Sequence, residues 1–325
     1  MIEHQPPVAV DPADAPPSAA PPEAPRHSRA VSFWLNFCFF CARRAPWFMR
    51  GSKPFWLMMS RWCFRGPLRA GIAANAKWLL GSDSSAAERK RLEDRVLEQF
   101  YLFIYDIGRA SEKSRDEILS QLDSVEGEEH FRAARRLGRG AIIATAHMGS
   151  FEVGIAAARE MEPHIHVVFQ RDQFEAFDQI RHRLHERVGV REARVEDGWP
   201  VWANLRDALQ ANEVALMQAD RVMPGQHGMA VPFCGGHIDL PLGPVKLAAM
   251  TGAPIVPVFA PRTPEGRIRL IIEPAIHVSP DQATPRGQTP PPPLLELARV
   301  IEKHVRARPE QWLMLQPMWR EDRTT

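Results

Sequence analysis

No aspartate or glutamate occurs between Val31 and Ser82. The chain as a whole shows no such bias, with 41 basic side chains against 39 acidic ones and a formal charge of +2. That balance excludes a general polyanion-binding character, so nucleic acid is not an expected partner. Cysteine is scarce. Cys38, Cys41, Cys63 and Cys234 are unevenly spaced and match neither a disulfide framework nor a complete zinc site, which points to reduced, cytosol-facing thiols. The Cys38-x-x-Cys41 pair lies in FWLNFCFFCARR, where cysteine among phenylalanines serves as a small apolar residue. Long hydrophobic runs are missing too. SFWLNFCFF and PFWLMM fall short of the roughly 18 to 20 residues of a spanning helix, and Arg43, Arg44 and Pro46 end the first. A basic start, an apolar run and a small-residue cleavage site do not follow one another near Met1, so no secretory signal is expected. No internal repeat is visible.

What is present divides the chain into three parts. Residues 1–30 are rich in proline, alanine and polar residues without apolar periodicity, and are expected to form a disordered tail. Residues 31–110 read as a helical, membrane-associating region. Arg43, Arg44, Arg50, Lys53, Arg61, Arg65, Arg69 and Lys77 alternate there with Trp34, Trp47, Trp56, Trp62 and Trp78. Tryptophan favours the headgroup boundary, and each Lys or Arg near an anionic leaflet adds about 1 kcal/mol of attraction. The segment is therefore expected to lie on a membrane. The alternative is an ordinary aromatic core with its arginines on a solvated face. Residues 111–325 carry the α/β domain, and 45% hydrophobic residues overall suffice for a substantial core.

Apolar residues at helical spacing, after the capping box Ser85-x-x-Glu88, predict a helix from Ala86 to Ile107 with Gly108 as its stop. A second box, Ser114-x-x-Glu117, opens a short helix to about Leu122, and Glu128 to Leu137 reads as another closed by Gly138. Strands are then expected at 141–146, 165–169, 214–219 and 254–260, alternating with helices at 151–160, 174–188, 201–209 and 245–250. The turn Thr263-Pro264-Glu265-Gly266 predicts a hairpin between 254–260 and 267–273 at the sheet edge. Residues 280–293 read as a proline-rich linker before a last helix over 294–305. The fold class is α/β, a mixed sheet flanked by helices on both faces.

One segment places chemistry where open α/β sheets hold their sites: AIIATA-His147-Met-Gly-Ser-Phe-Glu152. A histidine just past a strand can take a proton from an attacking hydroxyl if its other ring nitrogen is held and the imidazolium stabilised. Glu152, in the first turn of the next helix, is expected to do both. Backbone N–H groups near Gly149 and Ser150 are candidates to receive an oxyanion. A histidine that merely packs in the loop is the alternative.

This segment, with QADRVMPGQHGMAVPFCGG, LPLGPVKLAAMTGAPIVPVF, the following Arg262 and RPEQWLML, resembles the lipid A biosynthesis acyltransferase family, of glycerolipid acyltransferase-like fold. The resemblance runs from the basic aromatic segment to Trp312. It implies transfer of a fatty acyl group from acyl carrier protein or coenzyme A to a hydroxyl of a lipid acceptor, a lipid A precursor-like glycolipid or a lysolipid. The place it implies is the cytoplasmic face of the bacterial inner membrane, with the protein peripheral or monotopic on an anionic surface. His147 would be the general base and Glu152 its partner, with no cofactor. A thioester is already activated, so no nucleophilic serine is needed, and Ser150 also lacks a Gly-x-Ser-x-Gly setting.

The resemblance also contains departures. Asp220 matches the first acid of the family's Asp-Gln or Asp-His motif, but Arg221 replaces the second residue. FQRDQ places Gln170-Arg171 where an Arg-Pro pair is usual, and Gln316-Pro317-Met318 replaces a basic His-Arg-Arg. These positions bear on the acceptor. Arg171, Lys246 and Arg262 are candidates for its phosphates or the donor's. His182 and His185 beside Glu186 lack an evident third ligand, so no metal is expected. Two other activities fit the same residues: an acyl thioesterase or esterase, and a catalytically silent membrane-surface binding protein.

Overall fold

The computed structural model describes residues 29–63, 66–171, 175–223, 226–282 and 289–322. The expected tail lies outside them apart from its last two residues, as do Phe174 and part of the proline-rich linker. The acid-free segment folds into α1 (Arg29–Arg44), α2 (Pro46–Gly51), α3 (Lys53–Cys63) and α4 (Pro67–Leu80). Proline opens α2 and α4, where its missing N–H costs nothing. Trp34, Leu35, Phe39, Ala42, Met49 and Trp56 are buried, whereas Phe33, Phe40, Trp47 and Met58 are exposed. The segment thus supplies core on one side and an apolar surface on the other. No described helix is long and apolar enough to cross a membrane.

The long helix α5 (Ala86–Ala110) follows, with Ser85 and Glu88 closing the capping box at 3.2 Å and 2.8 Å. It runs through Gly108 rather than stopping there. A Cβ on Gly108 would lie 2.7 Å from that of Ala42, so this glycine serves the close approach of α1 to α5. Tyr101 on α5 donates to the Met49 carbonyl at 2.9 Å and ties α2 to the same helix. The second box caps α6 (Arg115–Leu119), which ends earlier than its apolar pattern suggested because β1 (Leu122–Glu126) begins.

After α7 (Glu128–Arg135) the alternation proceeds as β2 (Ala141–Thr145), α8 (Phe151–Met161), β3 (Ile165–Phe169), α9 (Glu175–Val188), β4 (Arg191–Arg194), α10 (Trp199–Gln210) and β5 (Val214–Gln218). A separate antiparallel hairpin, β6 (Gly228–Phe233) and β7 (Gly236–Pro241), precedes α11 (Gly243–Thr251), β8 (Ile255–Phe259), β9 (Ile268–Ile272) and α12 (Pro292–Ala307).

The main sheet has seven strands in the order β1-β9-β8-β2-β5-β3-β4, parallel throughout except where β8 meets β9. The predicted hairpin is therefore present but not at an edge, since β1 pairs outside β9. Neither edge strand was anticipated. LDSVE and REAR are polar, as edges that face water on one side are. The β6–β7 hairpin was also missed; it turns at Cys234 and Gly235, both of positive φ, as a tight two-residue turn requires. Along β2, Ala141 and Ile143 face one hydrophobic cluster and Ile142 and Ala144 the other, so both faces of the sheet are covered. The first cluster also contains Trp34, Phe39 and Ile104, so α1 and α5 share the core beneath one face of the sheet.

Candidate active site

The central pair β2 and β5 is parallel, with Thr145 opposite Gln218. Two residues beyond each lie His147 and Asp220, which the register delivers side by side at the carboxyl end of the sheet. Their contact is direct: His147 Nδ1 lies 2.7 Å from Asp220 Oδ1. The other carboxylate oxygen accepts the His147 backbone N–H and the Trp312 indole N–H, each at 2.8 Å. Asp220 is fully buried. Burial by itself pushes its carboxyl up, but the neighbouring His147 charge and these hydrogen bonds outweigh it and hold the group below the usual carboxylate range. With Nδ1–H donated to a carboxylate, the lone pair stands on Nε2, which makes no hydrogen bond among the described residues. The His147 side chain is about a quarter exposed, at 24%, so a substrate can reach it.

Glu152 does not hold the His147 ring. It lies in the first turn of α8 and is buried, with Ser150 Oγ at 3.5 Å. Burial pushes its carboxyl up to about 7; its own backbone N–H, Arg262 and Ser150 act against that rise, and Asp106 adds to it. Asp106, on α5, is itself raised by burial, with Arg262 opposing, and its carboxylate pairs with the Arg262 guanidinium. Helix α8 thus directs Glu152 toward an Asp106–Arg262 pair below the loop, while strand register assigns the histidine to Asp220.

The loop itself is tightly held. Gly149 takes φ +68°, and a Cβ there would sit 2.0 Å from the Ala260 carbonyl. Its N–H donates to the Gln311 carbonyl at 3.3 Å, and that of Ser150 to the Ala260 carbonyl at 2.9 Å. Both amides expected to receive an oxyanion are therefore already engaged by the close packing of β8 and the C-terminal segment on the loop. Leu313 N–H closes a further bond to the His147 carbonyl at 2.8 Å.

The remaining candidates are dispersed. Arg262 is bonded to Asp106 and, at 3.2 Å, to the Gly266 carbonyl, so its guanidinium is a structural clamp. Gln311 reads both backbone groups of Arg262, at 2.7 Å and 2.8 Å. Arg171 is exposed past the end of β3, its N–H bonded to Glu196 at 2.7 Å. Lys246 is exposed on the first turn of α11. No group of His, Cys, Asp and Glu among the described residues can hold a metal; His182 and His185 both turn to Glu192.

Gln311 and Trp312 fasten the C-terminal segment to Arg262 and Asp220, a task that RPEQWLML does not reveal by itself. Asp106 was not anticipated, although an acid on the apolar stretch LFIYDI is a readable signal.

Fold and site together describe a mixed α/β sheet with a histidine–carboxylate pair at the carboxyl ends of its central strands. Sequence comparison narrows this class. The chain belongs to the bacterial lipid A biosynthesis acyltransferase family, whose sequence model matches residues 31–321. It is accordingly an acyltransferase. A phosphatidylinositol mannoside acyltransferase of Mycobacterium tuberculosis (strain ATCC 25618 / H37Rv) is 27% identical over 229 residues, covering 70% of this chain and 69% of the relative. The protein of the same name from Mycolicibacterium smegmatis is 28% identical over 227 residues, covering 69% and 68%.

Proposed function

We propose that this acyltransferase moves a fatty acyl group from a thioester of acyl carrier protein or coenzyme A to a hydroxyl of a glycolipid, with His147 as general base. The observation that carries the reading is the His147–Asp220 contact of 2.7 Å. His147 Nε2 takes the acceptor hydroxyl's proton as its oxygen attacks the thioester carbon. Asp220 holds the ring in the required tautomer and stabilises the imidazolium. The tetrahedral intermediate collapses with loss of thiolate, which recovers the proton from His147. Because the Gly149 and Ser150 amides are engaged, negative charge on the intermediate is met by the dipole of α8 and not by those two N–H groups. Glu152 supports the loop from below through Ser150 and the Asp106–Arg262 pair. The names of the mycobacterial relatives support a glycolipid acceptor.

The reaction takes place at the cytoplasmic face of the inner membrane, the protein resting on it through α1 to α3. Phe33, Phe40, Trp47, Phe55 and Met58 are exposed there beside Arg44 and Arg50, which suits an anionic lipid surface.

Purified protein incubated with acyl-coenzyme A or acyl carrier protein and a membrane glycolipid extract should yield an acylated lipid by mass spectrometry. His147→Ala should abolish that product in a folded protein; retained transfer would refute the mechanism, and free fatty acid alone would make the enzyme a thioesterase. Flotation with anionic vesicles tests the surface: Trp47→Ala with Phe33→Ala should reduce binding, and unchanged flotation would remove these residues from the contact.

A further inference from the structure

A cavity of about 290 Å³ is lined by Arg221, Val222, Asp239, Gln316, Pro317 and Met318. Arg221 follows Asp220 directly in the chain, so one wall is continuous with the residue that holds His147. Gln316, Pro317 and Met318 belong to the C-terminal segment, which is fixed in place. Asn75 on α4 donates to the carbonyls of Met314 and Gln316, each at 2.9 Å, and accepts the Met318 N–H at 3.0 Å. Trp319, fully buried, donates to the Phe233 carbonyl at 2.9 Å and stacks on Trp78. Gly71 lets α4 approach so closely that a Cβ would lie 2.4 Å from the Leu315 carbonyl. This part of the lining is therefore held by hydrogen bonds and close packing.

Its chemistry selects among occupants. An acyl chain wants an apolar lining, whereas this one offers a guanidinium, a carboxylate and an amide. A phosphate would meet the Asp239 carboxylate, which stands 3.3 Å from Arg320. A ring bearing several hydroxyls matches better: Asp239 accepts from hydroxyls, Arg221 and Gln316 donate to them, and Val222, Pro317 and Met318 cover the ring's C–H face. The volume sits at the small end of small-molecule sites, roughly 300 to 1,000 Å³, and so suits one ring. We infer that this cavity seats one sugar- or cyclitol-type ring of the acceptor, with Arg221, Asp239 and Gln316 as its specificity determinants. The inference rests on the glycolipid reading above.

Two measurements on the full chain test it. In saturation-transfer NMR with millimolar methyl mannoside, methyl glucoside and myo-inositol, at least one should receive saturation, and Arg221→Gln or Asp239→Asn should remove the signal. His147→Ala should keep it while losing transfer, so failure of the catalytic reading and failure of this one are separable. In steady-state kinetics, Arg221→Gln should raise the acceptor KM about tenfold or more, with the thioester KM within about twofold. Arg221→Lys, which keeps a charge, should recover part of the acceptor KM with the thioester KM unmoved, whereas a structural effect would shift both. Should Arg221→Gln fail to fold, Gln316→Ala gives the same readout. Absence of saturation transfer to all three compounds, signals that survive both substitutions, or an unchanged acceptor KM would overturn the inference.

Discussion

Replacing Asp220 by asparagine changes one oxygen into an amide nitrogen and leaves the shape intact. The carboxylate receives three donors: the His147 backbone N–H and the Trp312 indole on Oδ2, and the ring N–H on Oδ1. An asparagine has one accepting oxygen. Facing it toward the two donors at Oδ2 satisfies both and turns the NH2 toward Nδ1. That nitrogen must then accept, which moves the ring proton to Nε2 and removes the base. The opposite flip would leave two buried donors facing an NH2, at a cost of about 1–3 kcal/mol each. The inverted tautomer is therefore preferred. Loss of the base in this way corresponds to a fall in kcat of about 10⁴-fold, or about 5 kcal/mol of transition-state stabilisation. Single-turnover acyl transfer at saturating thioester measures it, with a thermal melt confirming the fold. A drop of less than about tenfold would refute the role of Asp220 in orienting His147.

Glu152 predicts a pH effect on stability. Its carboxyl titrates near 7 in the folded protein against 4.5 ordinarily, so between these values the folded chain binds a proton the unfolded chain has released. Stability should fall as pH rises through that window and stay lower above it, by about 3 kcal/mol from this group. Glu152→Gln should flatten the profile in urea denaturation between those pH values, and an unchanged slope would remove Glu152 as its source. Gly149→Ala should lose activity and about 2 kcal/mol or more of stability, because the left-handed φ and the 2.0 Å approach to Ala260 leave no room for a methyl group. Equal melting temperatures would contradict this packing.

Much of the architecture was legible because it rests on local patterns. The apolar runs at 141–146, 165–169, 214–219 and 254–260 are strands buried on both faces, and such strands announce themselves in composition. The two Ser-x-x-Glu boxes worked because their hydrogen bonds span three residues. The edge strands LDSVE and REAR stayed hidden, since their pairing comes from neighbours distant in the chain. Gly108 misled for the same reason: inside a helix its meaning depends on Ala42 of another helix, and only packing reveals that.

A histidine at the end of a buried strand, and an acid-free aromatic segment ahead of the domain, can be read from the residues alone. Local chain geometry suffices for both. Which acid contacts that histidine depends on how the strands pair. Glu152 is five residues away in the chain, yet it turns inward with α8 toward Asp106 and Arg262. Asp220 is 73 residues away, and the parallel register of β2 and β5 brings it to 2.7 Å. Sequence distance carries no information about partners across a parallel sheet, because each crossover helix returns the chain to the same end of the sheet before the next strand delivers its side chain.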